Sequence, residues 1–356
     1  MILHILIVTI AVICLSAPSA AFLRTAPDIS PFEYNYTRLG GGPNASAIVK
    51  WNVTNTIKSY WVAHWLHADN CHDYVIVSTM ANAGSELLSG ISLLDVQTGY
   101  NFGTQVKTPG QLSTTVLDGD SGLLHFSAST ADQASELFAV STFKEIPYKL
   151  HYTPKGPYLY QAGSGSYVWG TGYAYAFDAP ETWVTGTLTI NNTIVNIVPN
   201  ESAAWFDMQW GPSYAPGGWH AFVFLLDNGV KVAIMVTNPT NIYSQNSIAT
   251  ILYPDGNHQV FAVDPELHAA KPWVSSTSNI TYYSYYQLNI PGKGITLDVN
   301  LPWEAGETAL DSNPTPANTI ADSFAYYNGT FDGTIVRGYG IAEQRVSADG
   351  SLFGSK

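Results

Sequence analysis

The chain has 356 residues, a formal net charge of −13 and only 14 Lys and Arg residues. So few basic residues argue against nucleic acids and anionic membranes as partners, because both are bound through basic surfaces. The 22 Tyr and 10 Trp residues, with 12% charged residues overall, favour a rigid β protein with apolar pockets.

Residues 1–21 have the pattern of a secretory signal peptide. Ile2 to Leu15 is an almost continuous apolar run, and the small residues from Ser16 to Ala21 suit cleavage near Ala20 or Ala21. The run is shorter than the roughly 20 residues of a typical membrane span, so an uncleaved anchor is the less favoured alternative. Cleavage would remove Cys14 and leave Cys71 as the single cysteine, so we expect no internal disulfide.

Asn-x-Ser/Thr sequons recur along the chain and predict N-glycosylation. Together with the signal peptide, they predict a protein that is secreted or resides in the lumen of a eukaryotic secretory pathway. The predicted glycosylation sites are Asn35, Asn44, Asn52, Asn191, Asn200, Asn279 and Asn328.

Short apolar runs separated by turn residues predict strands throughout the chain. Trp183 to Ile190 and Thr193 to Val198 flank an Asn-Asn turn. Ala221 to Leu226 and Val230 to Val236 flank Asp-Asn-Gly, a strong signal for a tight β-hairpin. Ile295 to Asn300 alternates between apolar and polar residues with a period of two.

Helical patterns are confined to two short segments, residues 131–140 and 319–326. Strands do not alternate with long helices, which argues against Rossmann and TIM-barrel architectures. Pro and Gly cluster over residues 211–218 and predict a domain boundary there. We therefore predict an N-terminal β domain over residues 22–212 and a C-terminal β domain over residues 213–350.

The segment Trp205-Phe206-Asp207-Met208-Gln209-Trp210-Gly211 carries the strongest functional signal. In a strand, Trp205, Asp207 and Gln209 share one face. Aromatic faces suit a flat apolar ligand, and a carboxyl group in an apolar pocket keeps its proton to higher pH. We predict Asp207 as a proton donor, Gln209 as a partner for a substrate oxygen and Trp205 as a binding surface. The alternative is a structural role, in which the Asp and Gln side chains satisfy backbone groups.

Five segments resemble the carotenoid hydratase (hydroxyneurosporene synthase) family. They are Tyr60 to Trp65, the strand from Glu181 to Ile190, the block from Trp205 to Gly211, the hairpin from Gly218 to Gly229, and Gly338 to Glu343. These segments match the family in order and together span most of the mature chain. The Trp-rich block is the most specific of them.

The resemblance implies an all-β fold of two consecutive lipocalin-like β-barrel or sandwich domains, with the ligand between or within them and no organic cofactor. Family members include bacterial hydratases of isoprenoid alkenes, the secreted fungal kievitone hydratase and fungal natural-product Diels–Alderases, among them hetero-Diels–Alderases. The signal peptide and sequons fit the fungal branch. The family commonly has Arg where this chain has Met208, so no role of that Arg carries over.

Three functions follow as hypotheses. The favoured one is a cofactor-independent (hetero-)Diels–Alderase or cyclase that combines acid-assisted dehydration with pocket preorganisation on an apolar polyketide or terpenoid. A kievitone hydratase-like hydro-lyase acting on a prenylated aromatic is the close alternative. A secreted lipocalin-type binding protein without catalysis is the third, although a carrier gains nothing from an acid such as Asp207 in its pocket.

Four further residues are candidates for the site. We predict His64 as an acid–base partner, Trp65 and Trp219 as binding surfaces and Glu343 as a residue at a barrel mouth, although a solvent-facing Glu is the common alternative. The His and Asp residues between positions 64 and 73 lack metal-ligand spacing, so we predict no metal site.

Overall fold

The computed structural model describes residues 57–113, 116–169, 172–211, 214–240, 246–310 and 314–347. The predicted signal peptide and the sequons at Asn35, Asn44 and Asn52 lie outside these ranges. Within them the chain forms β-strands and no α-helix, so no helix there could span a membrane. The described 3₁₀ turns are Gln161–Gly163, Pro199–Glu201, Pro291–Lys293 and Pro316–Asn318.

The N-terminal part of the described chain forms one antiparallel sheet of thirteen strands. The strands are β1 (Ile57–His67), β2 (Asp73–Ala83), β3 (Glu86–Asp95), β4 (Asn101–Pro109), β5 (Asp118–Asp120), β6 (Leu124–Ala128), β7 (Leu137–Ser141), β8 (Tyr148–Pro154), β9 (Leu159–Tyr160), β10 (Ser166–Trp169), β11 (Gly172–Ile190), β12 (Thr193–Asn196) and β13 (Ala203–Gly211).

The C-terminal part forms a second antiparallel sheet, with ten strands in the described ranges. The strands are β14 (Trp219–Leu226), β15 (Lys231–Thr237), β16 (Ser247–Leu252), β17 (His258–Ala262), β18 (Ala270–Val274), β19 (Thr281–Ile290), β20 (Ile295–Asn300), β21 (Glu307–Ala309), β22 (Thr319–Phe331) and β23 (Thr334–Arg345). The chain therefore changes sheet between Gly211 and Trp219.

The two sheets repeat one strand order. The first runs β4-β3-β2-β1-β13-β11-β8-β7-β6-β5, and the second runs β17-β16-β15-β14-β23-β22-β20-β19-β18, which lacks a counterpart of β5 among the described strands. In each sheet the first strand of the unit pairs antiparallel with its last strand. By position, β13 is therefore equivalent to β23, and β11 is equivalent to β22.

The predicted strands and hairpins are confirmed. The turn between β11 and β12 places Asn191 and Asn192 in the left-handed region, with φ of 49° and 62°, which Asn tolerates better than most residues. The two predicted helices are wrong, because residues 137–141 form β7 and residues 319–331 form β22. Strand neighbours on both sides of β22 override its local helical pattern.

The three largest cores of the described chain follow from the alternation of side chains along the strands. One lies within the first sheet, one lies within the second, and a third lies between the two sheets. The sheets are also joined by an ion pair of 3.0 Å between Lys231 Nζ on β15 and Glu181 Oε2 on β11. This packing brings one face of each sheet, opposite the core within that sheet, to a common boundary.

One expectation about cysteine fails. Cys71 is disulfide-bonded in the structure, whereas the sequence analysis predicted no internal disulfide.

Candidate functional site

A cavity of about 120 Å³ lies between the two sheets. Both sheets contribute to its walls, which mix aromatic, aliphatic and ionisable side chains. The lining residues are Ser59, Tyr60, Trp61, Thr79, Ala81, Leu88, Gln105, Trp169, Asp207 and Gln209 from the first sheet, Tyr214 from the connection, and Ala221, Val223, Met235, Ile320, Ile341, Glu343 and Arg345 from the second sheet and its approach.

Strand β13 places the Trp-rich block at this cavity. Phe206 and Met208 pack into the core of the first sheet, whereas Asp207 and Gln209 on the opposite face line the cavity. Trp61 on β1 is the direct register partner of Asp207 and lines the same cavity. Alternation along one strand therefore separates the core residues of the block from its cavity residues.

Asp178 extends this row of side chains to the neighbouring strand. It is the register partner of Asp207 on β11 and is fully buried. Its Oδ2 accepts a hydrogen bond of 2.8 Å from Gln161 Nε2. Two carboxyl groups thus lie side by side on one face of the first sheet.

The second sheet presents an equivalent pair. Glu343 on β23 and Asp322 on β22 are register partners. Glu343 lines the cavity, while Asp322 is buried and accepts a hydrogen bond of 3.1 Å from Trp61 Nε1. In the repeated strand order β23 corresponds to β13, so a carboxyl pair approaches the cavity from each sheet.

Burial keeps the Asp members of this cluster protonated. Loss of hydration, with the charge of Glu343 as a second cause, raises the pKa of Asp207 to about 8. Burial also raises the pKa of Asp178 well above its ordinary value, helped by the charge of Asp207. The same two effects, burial and the charge of Glu343, raise the pKa of Asp322.

Glu343 is the member whose charged form is best stabilised. Burial raises its pKa, but hydrogen bonds from Trp219 and Asp322 and the charge of Arg345 oppose that rise. The site therefore holds protonated Asp groups and one Glu that ionises more readily, which is the division of roles that acid–base chemistry requires.

One oxygen of the Asp207 carboxyl has no hydrogen-bond partner among the described residues. This atom, Oδ1, is buried. Trp219 donates its indole N–H to Glu343. The indole of Trp205 lies close enough to Asp178 to favour the charged form of that carboxyl, although the two groups do not make a hydrogen bond. Because a buried polar atom without a partner is costly, Oδ1 of Asp207 marks a position for a ligand atom.

Arg345 supplies positive charge to the cavity. Its guanidinium group lies 4.8 Å from the ring centre of Trp219 and 5.2 Å from that of Tyr214. It donates a hydrogen bond to the backbone oxygen of Ala317. Arg345 lies two residues after Glu343, on the same face of β23.

The sequence-predicted residues divide into two groups. Asp207, Gln209 and Glu343 meet at the cavity. Trp219 stands directly behind it, where it donates to Glu343 and packs against the Arg345 guanidinium. Trp219 therefore supports the cavity residues and does not present an exposed surface for stacking.

His64, Trp65 and Trp205 do not reach the cavity, so the structure corrects their expected roles. His64 points to the opposite face of β1, where it is fully buried 2.7 Å from the Tyr152 hydroxyl. Burial lowers its pKa to about 4. Trp65 and Trp205 are fully buried in the core between the sheets, where no ligand can stack on them.

Four residues of the site were not identified from the sequence: Asp178, Asp322, Trp61 and Arg345. Asp322 lay in a segment predicted as helical, so its strand neighbours could not be known. Asp178 offered a usable signal, because it is a lone acid in the apolar strand segment from Ala174 to Ala179.

Met208 points into the core of the first sheet and is buried there. An Arg side chain at that position would point away from the cavity. In this chain the cation at the cavity comes from β23 instead, as Arg345.

The His and Asp residues between positions 64 and 73 form separate pairs. His67 lies 2.7 Å from Asp73, and His72 lies 2.9 Å from Asp95. Among the described residues no three or more His, Cys, Asp or Glu side chains are grouped as metal ligands would be.

The sequons within the described ranges are on the surface. Asn191, Asn200, Asn279 and Asn328 all have exposed side chains. Their positions leave room for a glycan at each site.

The chain is similar to two named enzymes over most of its length. The chain is 24% identical to kievitone hydratase from Fusarium solani subsp. phaseoli over 299 residues, covering 80% of this chain and 81% of that protein. It is 22% identical to dehydratase asqC from Emericella nidulans over 355 residues, covering 92% of this chain and 96% of that protein. Both relatives are named as enzymes that add or remove water, and this chain is likewise an enzyme.

Solved structures show the same fold. The crystal structure of kievitone hydratase from Nectria haematococca matches with a TM-score of 0.77 and 19% identity, covering 92% of this chain and 98% of that one. A putative AttH from Nitrosomonas europaea matches with a TM-score of 0.71 and 15% identity, covering 91% and 100%. The predicted all-β, lipocalin-like fold is confirmed.

The chain belongs to the AttH-like family, whose model matches residues 109–343. This range includes Asp178, Asp207, Asp322 and Glu343. The family resemblance inferred from the Trp-rich block is therefore confirmed.

Proposed function

We propose that this protein is a hydro-lyase that adds water to, or removes water from, a flat and largely apolar small molecule held between the two sheets. The proposal rests on Asp207, a buried acid at the cavity. Its Oδ1 has no hydrogen-bond partner among the described residues, and burial raises its pKa to about 8. The names of the relatives, a hydratase and a dehydratase, support the same reaction class.

In the dehydration direction, the Asp207 carboxylic acid donates its proton to the substrate hydroxyl oxygen, the carbon–oxygen bond breaks and water leaves. The Glu343 carboxylate removes a proton from the adjacent carbon, or from an oxygen conjugated with it, and the released electron pair forms the new double bond. Return of one proton from Glu343 to Asp207 through solvent restores the site. Hydration follows the same steps in reverse.

Acid and base reach the substrate from different sheets. Asp207 lies on β13 and Glu343 lies on β23, and both line the one cavity. Gln209, beside Asp207 on β13, is placed to hold a substrate oxygen. A prenylated aromatic or polyketide is the proposed substrate class, because kievitone hydratase is the relative with the higher identity of the two described.

Cyclisation is the second candidate function. Acid-assisted dehydration at Asp207 would generate a reactive diene, and the cavity between the sheets would align it with its partner by proximity. A binding protein without catalysis is disfavoured, because it would leave the buried carboxyl of Asp207 without a use.

Comparing metabolites of the producing organism with and without this gene tests the proposal. A hydro-lyase predicts that a compound accumulates whose mass differs from the lost product by one water molecule. Purified wild-type protein should convert it, and the Asp207→Asn variant should not. Accumulation of an isomer of the lost product would favour a cyclase, and an unchanged profile would count against any enzymatic role in that metabolism.

We also propose that the protein acts in, or after passage through, the secretory pathway. The apolar residues 1–21 and the seven sequons support this location. The four sequons in the described ranges have exposed Asn side chains, as glycosylation requires.

A further inference from the structure

We infer that Arg345 forms a subsite for an acidic oxygen of the ligand, so that the cavity selects a flat conjugated molecule bearing a phenol, enol or carboxyl group. The inference rests on the proposal that the cavity holds the substrate. It does not depend on any proton transfer by Asp207.

The first argument is the unused hydrogen-bonding capacity of Arg345. A guanidinium group has five N–H donors. Within the described residues, one hydrogen bond goes to the Ala317 backbone oxygen, and the flat faces of the group contact Trp219 and Tyr214. No carboxylate of those residues lies within ion-pair distance of Arg345. Donors in the plane of the group are therefore left for a ligand.

The second argument is charge. Among the described lining residues, Arg345 is the one cation, and the other ionisable groups are carboxyls and phenols. An Arg side chain keeps its charge at any physiological pH. Because Asp207 keeps its proton through burial, Glu343 is the main source of repulsion for a bound anion. An oxyanion is thus stabilised beside Arg345 and not elsewhere on the walls.

The third argument is shape. Contact with Trp219 and Tyr214 fixes the plane of the guanidinium group, and a fixed plane favours flat oxygen groups that accept two parallel hydrogen bonds. The cavity, at about 120 Å³, is close in size to the roughly 150 Å³ cavity that holds benzene in an engineered protein. A ring with one acidic oxygen therefore matches this subsite in size and charge, as the part of the substrate that lies beside Arg345.

Three probes with one ring each test the subsite by binding alone. They are 4-nitrophenol, 4-nitrobenzoate and nitrobenzene, which lacks an acidic oxygen. We expect the wild-type full-length protein to bind an anionic probe at least about 10-fold more tightly than nitrobenzene, because hydrogen bonds to charged groups contribute strongly. The tighter of the two anionic probes then identifies a phenol-type or a carboxyl-type ligand.

The Arg345→Gln variant should weaken the tighter anionic probe by about 10- to 100-fold and leave nitrobenzene binding within about twofold. Arg337→Gln is the matched control, because Arg337 lies on the same strand with an exposed side chain. It should change none of the three affinities. Glu343→Gln should tighten the anionic probes, because it removes a like charge from the cavity, and no loss of folding would produce that result.

Two results would overturn the subsite. One is an equal loss of all three probes in Arg345→Gln, and the other is wild-type affinity that does not distinguish the anions from nitrobenzene. The result is separable from the hydro-lyase proposal through Asp207→Asn, which should bind the probes normally. Intact Arg345-dependent binding with full turnover in Asp207→Asn would reject the acid role and keep the subsite.

Discussion

Asp207 and Glu343 lie on the equivalent closing strands of two different sheets, and both line one cavity. The charge of Glu343 is one of the causes that raise the pKa of Asp207. The equivalence is incomplete, because the neighbour of Asp207 on β1 is Trp61, whereas the neighbour of Glu343 on β14 is Ala221. A repeated strand arrangement thus yields two carboxyls with different surroundings and different proton affinities.

Replacing Asp207 by Asn should abolish most of the turnover while the ligand still binds. The substitution keeps the size of the side chain but removes the proton, and a positioned acid typically contributes about 10²- to 10⁴-fold in rate. We expect kcat with the natural substrate to fall in that range, with a dissociation constant within a few-fold of wild type.

Asp120→Asn is the control for this experiment, because Asp120 is an exposed acid on β5 of the same sheet. It should keep wild-type kinetics. Undiminished turnover in a folded Asp207→Asn protein would show that Asp207 is not the proton donor and that the Trp-rich block has a structural role.

Replacing Glu343 by Gln should lower the pKa of Asp207 from its value of about 8. The charge of Glu343 disfavours ionisation of Asp207, so removing that charge makes the carboxylate easier to form. Carbon-detected NMR titration of labelled Asp carboxyls measures the shift without requiring a substrate. An unchanged or higher pKa would mean that burial alone sets the proton affinity of Asp207.

The mature protein should carry N-linked glycans on its exposed sequons. Endoglycosidase treatment of protein from a eukaryotic host should lower its apparent mass, and Asn→Gln changes at Asn191, Asn200, Asn279 and Asn328 should each remove part of that shift. Protein that is recovered only from the cytosol, without glycans, would contradict the secretory location.

The features of the fold that depend on local alternation of apolar and polar residues could be predicted from the sequence. Period-two patterns and Asn-rich turns gave the hairpins, and alternation along β13 correctly placed Asp207 and Gln209 on one face. The same rule grouped Trp205 with them. Trp205 lies two residues before Asp207, where this face of β13 packs in the core between the sheets and no longer lines the cavity.

Residues brought in by strand pairing could not be predicted. The register of β1 against β13 sets Trp61 opposite Asp207 and turns His64 towards the other side. Asp178, Asp322 and Arg345 reach the site only because distant strands become neighbours or because the two sheets pack together. No local pattern encodes those distances along the chain.

Changes at Trp61 and Trp205 should separate ligand binding from folding. Trp205 is fully buried between the sheets, so Trp205→Ala should lower the free energy of unfolding by about 3–5 kcal/mol, as for other large core deletions. Trp61 lines the cavity and donates to Asp322, so Trp61→Phe should weaken ligand binding with a smaller loss of stability. Urea unfolding and ligand titration of both variants check this, and the reverse pattern would contradict the assignment of the two side chains.

Each buried Asp carboxyl should contribute a loss of stability as the pH rises. The pKa of Asp322 in the folded protein lies well above its ordinary value of 3.8, because of burial and the charge of Glu343. Below about pH 4 the group is protonated in both the folded and unfolded states, so its protonation does not disfavour folding. Above that pH the unfolded chain loses the proton while the folded protein keeps it, so the free energy of unfolding falls by about 1.4 kcal/mol per pH unit for each such group.

Asp322→Asn should therefore flatten the decline in stability between about pH 4 and the raised pKa of the folded protein. The amide cannot ionise in the unfolded chain, so one group no longer contributes to the slope. Asp178→Asn should act in the same direction, because burial raises the pKa of Asp178 as well, whereas Asp120→Asn on the surface serves as the control. Urea unfolding at a series of pH values measures the slope for each variant. An unchanged slope in both Asp322→Asn and Asp178→Asn, relative to Asp120→Asn, would show that these two carboxyls ionise in the folded protein as they do in the unfolded chain.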